Sequence, residues 1–135
     1  MADNFNFELV SPERLLLSEM VSEVVLPATD GEMTVMANHA PTMTTIKPGI
    51  VTVKMASGTV TRYVVFGGFA DIVPTGCTLL AESAVPMDEV NRDTLLKRIE
   101  AAKTELSTAK GDEHKTHLER HLAELTHLNG IVMPA

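Results

Sequence analysis

The 135-residue chain is predicted to be β + α: an N-terminal antiparallel β-sandwich or flattened barrel over residues 1–85, then a two-helix antiparallel hairpin over 86–135. Three observations carry this reading. Apolar and polar residues alternate in the first part, the period of half-buried strands. Turn signals break that part at short intervals, and no long helical pattern interrupts it. After Pro86 the apolar period lengthens to that of a helix.

Phe5, Phe7 and Leu9 alternate with Asn6, Glu8 and Val10, which predicts the first strand. A second is expected around Val21, Val25 and Leu26, with acidic interruptions at Glu19 and Glu23. Val51–Met55 and Thr59–Phe66 are rich in β-branched residues, which fit a pleated surface. Ser57-Gly58 between them suits a tight hairpin turn. Asp30-Gly31, Lys47-Pro48-Gly49 and Pro74-Thr75-Gly76 read as further turns. Gly67-Gly68 reads as a bend, or as a close backbone approach within the sheet.

Leu95, Ile99, Ala102 and Leu106 form one helical stripe, and Gly111-Asp112 ends it. Leu118, Leu122 and Leu125, with Leu128 close by, form a second, for which Asn129-Gly130 is the expected stop. Helices this short, apolar along one stripe only, are marginal alone and should pair.

Composition narrows the function. Eleven basic residues stand against 18 acidic ones, net −7. Nucleic acid needs basic groups to replace its counterions, and anionic lipid recruits polybasic segments. Neither is expected, and a protein partner is. Cys77 is the one cysteine, so no intrachain disulfide forms and a reducing compartment is expected. The N-terminus lacks the pattern of a signal peptide. No apolar run approaches the roughly 18 residues that span a bilayer.

Candidate chemistry is sparse. Cys77 has no His, Lys or Arg near it in sequence to lower its pKa, and reads as a small buried hydrophobe. Neither a nucleophile elbow nor a phosphate loop is present. His114, His117 and His121 fall at i, i+3 and i+7. His117 and His121 match the spacing of a two-histidine metal site, although Leu118 stands where metalloproteases carry Glu. A solvated helix face is the expected reading, so no metal is predicted. The same histidines would charge as pH falls below about 6.5. His39 is expected in a loop or short strand, before Pro41.

Phe7-Glu-Leu-Val-Ser-Pro-Glu-Arg14, Asp30-Gly-Glu32, Asn38-His-Ala-Pro41 and Ile46-Lys-Pro-Gly49 occur in that order. Gly67-Gly-Phe-Ala-Asp-Ile72 and Thr78-Leu-Leu-Ala-Glu82 follow. Together they resemble the epsilon-subunit family of F-type ATP synthases. The resemblance implies a β-sandwich that binds the gamma subunit and rests on the membrane c-ring, turning as a rotor that couples proton flow to ATP synthesis. It implies a c-ring interface at Asp30, Gly31, Glu32 and His39, in loops at one end of the sandwich. A net charge of −5 over residues 1–85, four basic against nine acidic, suits an acidic rotor foot. It also implies a subunit with no active site of its own, held by the complex at the cytoplasmic face of a bacterial plasma membrane. An unrelated small-ligand or protein-binding sandwich and a metal-dependent enzyme are the alternatives.

For the hairpin, the resemblance implies contact with the alpha and beta catalytic subunits and a brake on hydrolysis. Lys115 and Arg120 are opposed by Glu113, Glu119 and Glu124, which predicts a weak brake. Some bacterial members bind ATP through an aliphatic-Asp pair and an Arg three residues after the Asp. Here Asn91 follows Asp88 at that offset, and Arg92 falls one later. Glu89 is in register with Arg92, but Asp88 then replaces the aliphatic residue. On one helix a single-residue slip is about 100° of rotation. Weak or absent ATP binding at Asp88, Glu89 and Arg92 follows, and no other cofactor is implied.

Overall fold

A computed structural model describes residues 4–29, 31–90 and 92–132, with Ile131 and Val132 described by backbone alone. The chain forms two compact units, one ending at Asp88 and one beginning at Glu89.

The first unit holds seven strands: β1 (Phe5–Val10), β2 (Leu15–Ala28), β3 (Gly31–Val35), β4 (Thr42–Met55), β5 (Val60–Val73), β6 (Gly76–Ala81) and β7 (Ala84–Pro86). β1, β6, β5, β4 and β2 pair in that order, and β2 pairs back onto β1. Five strands therefore close a flattened barrel, as predicted. Four of the pairings are antiparallel, while β1 and β6 run parallel. The odd number requires this correction to an all-antiparallel picture. Strand direction must return to itself around a closed ring, and five alternations cannot do that. β3 adds to the second half of β2, and β7 adds to β5.

Alternate side chains fill the barrel: Phe5, Phe7 and Leu9 from β1, Val24 and Leu26 from β2, Ile72 from β5 and Leu79 from β6 are all buried. Val25 lies between two inward residues and is only half-buried, because successive side chains leave a strand on opposite sides. β2 and β4 lose register between Val25 and Ala28. Pro27 has no N–H to donate there, and its ring lies where Gly49 leaves room: a Cβ on Gly49 would stand 2.6 Å from Pro27 Cβ. Gly68 makes the expected close approach. Its φ is 149°, and a Cβ would collide with the Leu80 carbonyl oxygen and lie 2.9 Å from Ala81 Cα.

Helix α1 (Arg92–Thr108) and helix α2 (Asp112–Val132) pack together in the second unit. Gly111, at φ 91°, turns the chain between them. Leu95, Ile99, Ala102, Leu118, Leu125 and Leu128 are buried, and Leu106 and Leu122 are half-buried. The stop expected at Asn129-Gly130 does not occur there, since α2 runs on to Val132. A glycine costs a helix about 1 kcal/mol but does not end it.

Candidate interaction face

The outer surface of the barrel carries an apolar row that follows from strand pairing. On β5, Ala70 and Ile72 are buried, so Phe69, Asp71 and Val73 point outward. On β6, Leu79 is buried and Leu80 is 52% exposed. Register sets Val10 beside Leu80, Leu80 beside Phe69, and Phe69 beside Thr45. The next outward row runs Glu8, Thr78, Asp71 and Met43, of which Met43 is 66% exposed. The face is thus a stripe of Val10, Leu80 and Phe69, with the carboxylates of Glu8 and Asp71 and the exposed Met43 in the row alongside. Contiguous apolar surface with a polar rim marks protein interaction sites. A signal for it stood in the sequence: Leu79-Leu80 within a strand must send one leucine to each side.

Two connections border this face. In the turn from β2 to β3, the Thr29 hydroxyl donates to the Thr45 carbonyl at 3.2 Å. Gly31 follows with φ 129°. Asp30 lies outside the described residues. Glu32, on β3, is exposed and pairs across from Pro27 of β2; among the described residues β3 bonds to β2 alone in the sheet. It therefore stands in an edge strand rather than in a loop, because pairing resumes at Gly31, opposite Ala28.

The connection from β3 to β4 holds His39. Asn38, at φ 65°, donates its N–H to the Pro74 carbonyl at 3.0 Å. The His39 N–H donates to the Met36 carbonyl at 3.3 Å. Its ring Nδ1 donates to the Ala40 carbonyl at 2.8 Å, and since a carbonyl only accepts, the hydrogen resides on Nδ1. Glu32 thus lies in the first residues of β3 and His39 beyond its other end, with the β4 and β5 outer surface adjoining both connections.

The family model for the ATP synthase delta/epsilon chain β-sandwich domain matches residues 4–87. The ATP synthase epsilon chain of Rhizobium etli is 74% identical over 132 residues, which is 98% of each chain. That of Rhizobium meliloti is 70% identical over 135 residues, 100% of each. The chain belongs to the ATP synthase epsilon-chain family. The reading as an unrelated sandwich module falls with that. A chain of the Euglena gracilis mitochondrial ATP synthase, solved as OSCP/F1/c-ring, is similar with a TM-score of 0.73 and 25% identity, over 96% of this chain and 81% of that one. A chain of the Tetrahymena thermophila mitochondrial ATP synthase central stalk and c-ring shares the fold at TM-score 0.62 and 12% identity, over 93% and 96%.

The remaining candidates are less assembled in this member of the epsilon-chain family. Asp88 and Glu89 sit in a 3₁₀ turn (Met87–Glu89), and Arg92 opens α1. All three are exposed, and Asn91 lies outside the described residues. The rotation expected from a single helix does not apply, because the turn and α1 are separate elements. On α2, His114 and His117 are exposed and His121 is half-buried. Among the described residues no three His, Cys, Asp or Glu side chains group to hold a metal ion. Cys77 is buried, and its thiol is pushed up to about 12, first by burial and then by the Asp71 carboxylate. So high a value removes the thiolate a nucleophile requires. Burial, then the Asp88 charge, also raises the Tyr63 phenol. Among the described residues no helix is long and apolar enough to cross a membrane.

Proposed function

We propose that this chain is a non-catalytic rotor subunit of a bacterial F-type ATP synthase, coupling c-ring rotation to ATP synthesis through gamma. The observation that carries the reading is 74% identity to an ATP synthase epsilon chain over 98% of both chains. In this reading the row of Val10, Leu80 and Phe69 docks on gamma, where burying apolar area yields about 25 cal/mol per Å². Asp30, Gly31 and Glu32, and the connection with His39, meet the polar loops of the c-ring. Gamma and the c-ring hold the subunit at the cytoplasmic face of the plasma membrane. The hairpin touches the alpha and beta subunits, and ATP binds weakly or not at all at Asp88, Glu89 and Arg92.

The test is reconstitution of epsilon-depleted ATP synthase from the source organism. The native chain should restore proton-driven ATP synthesis. A Phe69→Asp, Leu80→Asp variant keeps the barrel, since both side chains already face water, and should need at least about tenfold more protein for the same effect. Equal potency of the variant would move gamma to another face. Failure of the native chain to bind would remove the rotor reading itself.

A further inference from the structure

Asn129-Gly130 is the single Asn-Gly pair in the sequence, and both residues lie inside α2. Nothing in the fold calls for glycine there. The φ of Gly130 lies outside the left-handed region, and a Cβ on it would meet nothing within 4 Å. Glycine weakens a helix, so here it lowers the stability of α2 and improves no contact. Its neighbour is no better suited. Asn129 is half-buried, and its enclosed Oδ1 accepts no hydrogen bond among the described residues. An enclosed acceptor left unpaired weakens the structure around it. Both defects fall near the end of α2, where helices fray first. Leu125 and Leu128, 2% and 1% exposed, hold that end closed.

Asn followed by Gly carries a reaction of its own. The Gly130 backbone nitrogen can attack Cγ of Asn129, because glycine has no Cβ to obstruct the approach. The new N–Cγ bond closes a succinimide ring while the Cγ–Nδ2 bond breaks. The hydrogen of that nitrogen leaves with Nδ2 as ammonia. Water then opens the ring at either carbonyl, leaving aspartate or isoaspartate at position 129. The wound helix holds this reaction off. It commits the Gly130 N–H to the Thr126 carbonyl and keeps ψ of Asn129 in the helical well, out of which ring closure must rotate it.

We propose that Asn129-Gly130 is a conformation-gated modification site, silent while α2 is wound and converted to aspartate or isoaspartate when its last turn opens. The product rewinds less readily than the original. Aspartate sets a charge where Oδ1 finds no partner, which burial penalises, and negative charge is unfavourable at a helix C-terminus. Isoaspartate lengthens the backbone and interrupts the repeat of helical hydrogen bonds. The modified fraction therefore records the time that the end of α2 has spent open.

The full chain, incubated in mildly alkaline buffer and then cut with trypsin, tests this. Cleavage after Arg120 frees a peptide in which Asn129 is the only side-chain amide, so replacement of NH2 by OH is read from its mass. The native chain should convert at least about tenfold more slowly than the free peptide. Leu125→Ala, which opens the helical core, should convert at least about tenfold faster than the native chain. Gly130→Ala should convert at least about fivefold more slowly than the native chain, because alanine strengthens the helix and crowds the attack. Asn129→Asp, in place of the product, should speed hydrogen exchange in the last turn of α2 at least about fivefold. Conversion of the native chain at the free-peptide rate, or no acceleration in Leu125→Ala, would overturn the gating. Unchanged exchange in Asn129→Asp would show that the product rewinds, and would overturn the record of opening.

Discussion

Cys77 faces the barrel interior opposite Phe7 in register, and its thiol is pushed up to about 12 mainly because burial penalises the anion. An unfolded thiol ionises near 8.5. Since the folded value is the higher one, the contribution to stability is complete below the unfolded value and is lost as pH rises through the folded one. Urea midpoints of the native chain should therefore fall between about pH 9 and 12 more steeply than those of Cys77→Ala. Parallel curves would show that the thiol is more hydrated than its position implies. The sequence made Cys77 readable as a hydrophobe because its neighbours in Gly76–Ala81 alternate correctly. It did not reveal Asp71, which reaches the thiol's surroundings only through β5–β6 pairing.

The helical hairpin depends on few side chains, which makes each of them costly to remove. Leu125 is 2% exposed at the centre of the α2 stripe. Leu125→Ala should cost about 2–5 kcal/mol, enough to open a two-helix unit with so small a core. Hydrogen exchange should then lose protection in α1 and α2 while β1 to β6 keep theirs. Protection unchanged in the helices would mean that the stripe is not what holds them. The 3.6-residue spacing of Leu118, Leu125 and Leu128 made this element legible. Its end was not, because Gly130 weakens a helix without terminating it.

The barrel stands or fails as a ring. Phe7 lies at its parallel seam, paired with Glu19 of β2 on one side and Cys77 of β6 on the other, and is fully buried. Phe7→Ala should cost about 3–5 kcal/mol and lower the urea midpoint of the barrel in one cooperative step. A loss under about 1 kcal/mol would indicate that the cavity is refilled by neighbours. The same ring places the interaction face, since Val10, Leu80 and Phe69 come from three strands that meet only when it closes.

Period and turn chemistry in the chain were enough to separate strands from helices, to place the hairpin at Ser57-Gly58 and to expect tight approach at Gly67-Gly68. These are local matters: alternation, spacing and the freedom of glycine act within a few residues. Which leucine of Leu79-Leu80 faces water, that Glu32 belongs to an edge strand, and that β1 meets β6 in parallel are different in kind. Each depends on which distant strand lies alongside, and that is set by closure of the whole ring.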